Sequence, residues 1–280
     1  MLERLQSARG FVFDMDGTLV LGDKASGNHA ALPGAIEVIA HLRAAGVPFQ
    51  IFTNGTARTP AWYANSLRHA GLDIRDDEMM TPSTAAAAYL KAKGMERVLV
   101  LGREPVWRPL ADAGLSIVES PGDGGAVDAV YVGWFREFTF PDLEAAANAI
   151  WSGAALTTAS DVPFFAAAGG RAIGSSFAIN AMLRALTGAE VTVLGKPSLE
   201  ALGVARGRMG LAGEPFENLV VVGDDPALEP KMANDAGALS VAVTTGIYSE
   251  ENFASETEDK RPAIILTGVD ALLPMLRGAR

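Results

Sequence analysis

Along the chain, short apolar and β-branched runs alternate with alanine-rich stretches of helical periodicity, which predicts an α/β fold with a mainly parallel sheet. Gly10 to Phe13 form an apolar run that ends at Asp14. After a polar stretch, Pro33 and Gly34 open a helix to about Ala45, closed by Gly46. Val47 to Phe52 read as the next strand, ending at Thr53, and a helix from about Pro60 to Ala70 is stopped by Gly71. Further strands are expected at Arg97–Leu101, Leu115–Val118, Ala129–Val132, Ala155–Thr158, Val191–Leu194, Leu219–Val222, Leu239–Val243 and Ala263–Leu266. Helices are expected at Ser83–Lys93, Asp142–Ser152, Ser176–Leu186 and Ser198–Met209. No internal repeat or low-complexity linker marks a domain boundary.

Four of these runs lead into polar residues able to do chemistry. Val12-Phe13 precedes Asp14, Ile51-Phe52 precedes Thr53, and Val220-Val221-Val222 precedes Gly223-Asp224; Val191–Leu194 leads through Gly195 to Lys196. In parallel α/β sheets, ligands bind in the crevice beyond the carboxyl ends of the strands. If the four strands are neighbours, their four side chains converge there. Asp14-Met15-Asp16-Gly17-Thr18-Leu19 is the sharpest segment. A turn at Gly17 lets one carboxylate act as nucleophile while the next reaches round to a leaving-group oxygen. Phosphoryl transfer asks for little more covalent chemistry than this; the remainder is charge neutralisation and in-line positioning. Asp14, the backbone carbonyl of Asp16 and Asp224 are the expected ligands of Mg2+, which keeps waters in its other positions. Thr53 with the amides of Asn54 and Gly55 is suited to phosphoryl oxygens, and Lys196 to their charge. Asp225 and Glu229 also read as carboxylates at a helix N-terminus, where the dipole favours them.

The composition narrows the field. The 280 residues are enough for two domains, and with 49% hydrophobic residues they can build a sizeable core. There is no cysteine, so disulfides, thiolate metal sites and a cysteine nucleophile are excluded. The 23 Lys and Arg against 33 Asp and Glu give a formal net charge of −10, which argues against nucleic-acid binding. An anionic substrate gains nothing from such a field, so a phosphate site must be built locally. The N-terminal sequence reads as neither signal peptide nor membrane helix, and no apolar run approaches the roughly 18 residues of a membrane span. A soluble, cytoplasmic protein without membrane partners is expected. His29, His41 and His69 lie beside helical sequence and read as surface or hydrogen-bonded histidines.

Taken together, DMDGTL from Asp14, TNG from Thr53, GKP from Gly195 and GDD from Gly223 resemble the four motifs of the haloacid dehalogenase superfamily, over nearly the whole chain. The layout is similar to the class IIA branch of NagD- and nitrophenylphosphatase-like enzymes. Pro33-Gly34-Ala35 and Leu42-Arg43-Ala44-Ala45-Gly46 follow the first motif, and a long insert separates Thr53 from Lys196. The resemblance implies a Rossmann-like core from residues 1–82 and 191–280 and an α/β cap from 83–190. It implies a Mg2+-dependent phosphatase with Asp14 as nucleophile and Asp16 as general acid/base. Asp14, Asp16 and Asp224 would be metal ligands, and Thr53, Asn54, Gly55 and Lys196 phosphate binders. Its substrate would be a small phosphorylated metabolite, and relatives of this class often pair through the cap, implying a homodimer. Where relatives carry a second aspartate one turn after the fourth-motif aspartate, this sequence has Glu229, with Asp225 directly after Asp224; either carboxylate can support the metal through water. Where relatives often read Asn-Pro-Asp in the cap, this chain reads Ala159-Ser160-Asp161-Val162-Pro163.

Four rival readings are weighed against it. Dehalogenases and phosphonate hydrolases of the superfamily typically lack an acid at the position of Asp16, phosphomutases usually carry a smaller helical cap, and receiver domains are about half this length. A phosphometabolite-binding regulator without activity is opposed by the intact set of reactive groups. Trp134, Phe135, Arg136, Asp161, Phe164 and Phe165 are expected at cap turns, as substrate contacts or as cap packing.

Overall fold

The computed structural model describes residues 1–22, 29–119, 125–167 and 170–278. The chain divides into two compact units, one of Met1–Thr53, Ala61–Met80 and Leu202–Arg280, the other of Asn54–Pro60 and Thr81–Ala201. Both are α/β with parallel sheets. No helix among the described residues is long and apolar enough to cross a membrane.

In the first unit the sheet runs in the order Ile264–Leu266, Leu239–Val243, Leu219–Gly223, Gly10–Phe13, Phe49–Phe52, Met79–Met80, and every pairing is parallel. Its central strands are buried on both faces, as a sheet covered by helices requires. Period-2 alternation sorts their side chains. Phe11, Phe13, Val220, Val222, Val241 and Val243 turn to one face and pack with Val38, Ile39 and Leu42 of helix Ala35–Ala44 and with Ala64 and Leu67 of helix Pro60–His69. Helix Glu229–Ala236 packs against strands Leu219–Gly223 and Leu239–Val243. Strand order reverses beside Gly10–Phe13: the chain first builds outward through Phe49–Phe52, then returns on the other side through Leu219–Gly223. That switch point is where an open parallel sheet leaves a crevice at its carboxyl edge.

The second unit has its own five-stranded parallel sheet, ordered Val191–Val193, Ala155–Thr158, Ala129–Val132, Arg97–Leu101, Ser116–Glu119. Leu99, Val130, Val132 and Leu156 pack with Leu143, Ala146 and Ile150 of helix Phe140–Trp151 and with Ile179 and Leu183 of helix Ser175–Thr187. The condition that all four motif-bearing strands are neighbours holds for three of them and not for the strand leading to Lys196. Val191–Val193 pairs with Ala155–Thr158, not with the strands ending at Asp14, Thr53 and Asp224. It is half-buried throughout, an edge strand, unlike the fully buried interior strands of the first unit.

Among the elements with no counterpart in the sequence reading are two antiparallel strand pairs and a helix. Val20–Gly22 and His29–Ala31 form an antiparallel pair where a polar stretch was expected, each too short to show a period. Helix Glu104–Asp112 is hidden by Pro105 and Pro109, of which the first sits in the opening turn where no amide is needed. Strands Phe164–Ala167 and Gly170–Ile173 form a second antiparallel pair.

Ile39 is fully buried between its helix and the sheet of the first unit. Ile39→Ala is expected to lower the stability of that unit by about 3 kcal/mol, read as a fall in urea midpoint with an unchanged m-value.

Candidate active site

Asp14 follows strand Gly10–Phe13, and its amide donates to the Val222 carbonyl at 2.8 Å, continuing the pairing with Leu219–Gly223 for one residue. Its carboxylate is nearly buried and accepts a 3.4 Å hydrogen bond at Oδ2 from Thr18 Oγ1. Met15 turns into the core, so Asp16 turns outward. Gly17 then bends the chain back, its amide donating to the Val20 carbonyl at 2.8 Å.

Asp224 follows the neighbouring strand. Gly17 has φ +84, and a Cβ there would overlap Asp224 Oδ2, as would one on Gly246. Only glycines let both backbones approach the carboxylate this closely. Thr245 Oγ1 donates to the Gly17 carbonyl and so ties the loop after Leu239–Val243 to the turn after Asp14. Thr53 is buried at the end of Phe49–Phe52, with its amide donating to the Met80 carbonyl at 3.2 Å. Asp14, Thr53 and Asp224 thus end three adjacent strands of one sheet.

Glu229, the first residue of its helix, is 1% exposed, and it fills the space a side chain at Gly223 would need. Its Oε2 accepts the Asp225 amide at 3.4 Å, while the Asp225 carboxylate turns to its own loop and accepts the Ala227 amide at 2.9 Å. The hydroxyl of Tyr248 is held above its ordinary pKa, first by burial and then by the charges of Asp225, Glu256 and Asp224.

The donors fit a hard divalent cation. Two aspartates at paired strand ends supply charged oxygens, the donor type Mg2+ prefers. No three carboxylate or imidazole side chains among the described residues form a metal cluster. The Asp16 side chain meets His29, with Oδ1 3.3 Å from Nε2. His29 is thus a hydrogen-bonded histidine, one of the two readings the sequence allowed, though the hairpin that carries it was invisible there.

Lys196, Asn54 and Gly55 belong to the second unit. The Asn54 side chain grips the main chain of Lys196 twice: Nδ2 donates to the Lys196 carbonyl at 3.0 Å, and the Lys196 amide donates to Oδ1 at 2.8 Å. Sequence reasoning credited Asn54 with its main-chain amide and missed this clamp. Lys196 itself is 2% exposed. Among the expected substrate contacts of the insert, Phe135 is buried in that unit's core with the Arg103 guanidinium over its ring at 5.2 Å. Asp161 accepts from Arg184 at 3.4 Å and from Asn180 at 3.5 Å. The Trp134 amide donates to Thr56 Oγ1 at 3.1 Å, Arg136 lies over the Trp134 ring, and Phe164 is exposed. The Phe165 side chain lies outside the described residues.

Comparison with known proteins adds three kinds of likeness. A family model described as haloacid dehalogenase-like hydrolase matches residues 11–116, and a second, HAD-hydrolase-like, matches residues 193–272. The chain is 31% identical to human haloacid dehalogenase-like hydrolase domain-containing protein 2 over 267 residues, 94% of this chain and 92% of that protein. It is 28% identical to the dihydroxyacetone phosphatase of Corynebacterium glutamicum over 242 residues, 86% of this chain and 82% of that one. Among solved structures it is similar to glycerol phosphate phosphatase from Mycobacterium tuberculosis in complex with magnesium. The TM-score is 0.81 at 27% identity, covering 96% of this chain and 77% of that one.

Gly17→Ala tests the close approach to Asp224. Strain at positive φ and overlap with the carboxylate are expected to lower stability by more than about 1 kcal/mol, measured by thermal unfolding, with the far-UV spectrum unchanged.

Proposed function

Because the chain belongs to the haloacid dehalogenase-like hydrolases, we propose that Asp14 is the nucleophile and Asp16 the general acid/base of a phosphatase working through an aspartyl-phosphate. The protein is a phosphoric monoester hydrolase for small phosphorylated metabolites. The observation that carries the mechanism is the pair Asp14 and Asp224 at adjoining strand ends, beside the reversal of strand order.

In the proposed reaction, Asp14 attacks phosphorus in line with the ester oxygen. The P–O bond to the leaving group breaks, and Asp16 gives its proton to that oxygen. Asp16, now a carboxylate, takes a proton from water as the water attacks phosphorus, releasing phosphate and restoring Asp14. Thr53, Asn54, Gly55 and Lys196 are the proposed phosphoryl binders, with Lys196 balancing negative charge. Asp14, the Asp16 carbonyl and Asp224 would hold Mg2+, which when bound supplies positive charge to the phosphoryl oxygens and the two carboxylates. We assign Glu229, rather than Asp225, the support of that metal through water, because the Asp225 carboxylate is engaged with Ala227. The phosphoryl binders meet a group every monoester shares. Choice among substrates is therefore assigned to the second unit, where Trp134, Arg136, Asp161 and Phe164 are the candidates. The proposed setting is the cytoplasm.

Asp14→Asn is expected to abolish turnover of 4-nitrophenyl phosphate, by more than about a thousandfold, since a neutral amide does not attack phosphorus. Asp16→Asn should let labelled phosphoenzyme form slowly or persist. EDTA should silence the wild type and magnesium restore it. Full activity of metal-free Asp14→Asn would refute the scheme.

Asp224→Ala should lower kcat and magnesium affinity far more than Glu229→Gln, with Glu229→Gln costing about tenfold, as a carboxylate acting through water does. Titrating magnesium against activity for each variant separates the two; the reverse ranking would remove Asp224 as the direct ligand.

A further inference from the structure

Asp16 is the most exposed member of the proposed machinery, its side chain 54% accessible. An aspartate so placed samples several rotamers, and proton transfer needs one of them. Its contact with His29 restricts it. His29, at the start of strand His29–Ala31, brings Nε2 to 3.3 Å from Asp16 Oδ1, and its own side chain is 11% exposed. The other ring nitrogen is also engaged, with Nδ1 2.7 Å from Ser66 Oγ on helix Pro60–His69. The ring of Trp62, from the same helix, stands edge-on to the imidazole at 6.1 Å.

These contacts admit an assignment of hydrogens in which His29 holds Asp16. A Ser66 hydroxyl that donates to Nδ1 leaves the proton of a neutral imidazole on Nε2, directed at Asp16. Asp16 Oδ1 then accepts from His29, and Oδ2 is the oxygen left to exchange a proton with leaving group and water. We propose that His29, oriented by Ser66, is a positioning residue that fixes the Asp16 carboxylate for proton transfer. The inference rests on the reading of Asp16 as acid/base and adds the device that aims it. A base oriented by a third group is a general arrangement in catalysis; here the oriented group is a carboxylate and the orienting one an imidazole.

The test compares phenyl phosphate, whose leaving oxygen needs a proton, with 4-nitrophenyl phosphate, whose leaving group departs without one. It reads kcat/KM, which reports steps through formation of the phosphoenzyme. His29→Ala is expected to lower kcat/KM about fivefold for phenyl phosphate and less than about twofold for 4-nitrophenyl phosphate. His29→Gln, whose amide N–H can donate to Asp16, should recover most of the loss. Ser66→Ala, which leaves both His29 and Asp16 in place, should move the two substrates apart in the same direction. In an Asp16→Asn background, His29→Ala should change nothing further, because the group it aims is gone. An equal fall on both substrates, or a loss that adds to that of Asp16→Asn, overturns the positioning role. If Asp16→Asn itself shows no leaving-group dependence, the acid/base reading fails and takes this inference with it. If Asp16→Asn shows the dependence and His29→Ala and Ser66→Ala do not, the inference alone fails.

Discussion

Like charge held at paired strand ends is the constraint on which the site depends. Parallel pairing of Gly10–Phe13 with Leu219–Gly223 brings Asp14 and Asp224 to the same edge of one sheet. Neighbouring strands lie about 4.8 Å apart. Like charges at adjoining strand ends repel, more strongly where water is excluded. The sheet cannot relieve this by moving the strands, whose residues are buried on both faces. The proposed Mg2+ would relieve it.

The surrounding structure is consistent with this constraint. Gly17 and Gly246 admit main chain against the Asp224 carboxylate, where a larger residue would displace it. Thr245 ties the loop beyond Leu239–Val243 to the turn after Asp14, so a third strand end is fixed to the first. Glu229, buried in the space left by Gly223, adds another acid close behind Asp224.

The second unit solves a different problem. A lysine 2% exposed must have its backbone fixed if its side chain is to be of use, and Asn54 does this across 142 residues of sequence. The two hydrogen bonds close a loop that contains almost the entire second unit. Their net worth is about 2 kcal/mol, small beside the apolar core of that unit, so they serve alignment more than stability. Burial of Phe135 in that core and the ties of Asp161 to Arg184 and Asn180 assign part of the insert to its own packing.

The sequence by itself determined the local facts. β-Branched runs ended where their apolar pattern ended, so Arg97–Leu101, Ala129–Val132, Ala155–Thr158 and Leu239–Val243 were legible to the residue, and the polar residues after the strands stood out. The motif residues Asp14, Thr53, Lys196 and Asp224 could be listed before any fold was known. What only the tertiary structure decided was partnership. Val191–Val193 reads as a strand wherever it pairs, and its place in the second sheet is a choice among distant partners that a local period does not encode. The Asn54 clamp and the contact of His29 with Asp16 have the same character. Each joins a polar side chain to a group brought close by chain folding, and neither leaves a periodic trace in sequence. Hydrophobic periodicity writes elements into the chain one at a time; hydrogen bonds between elements are fixed only once the sheets have chosen their neighbours.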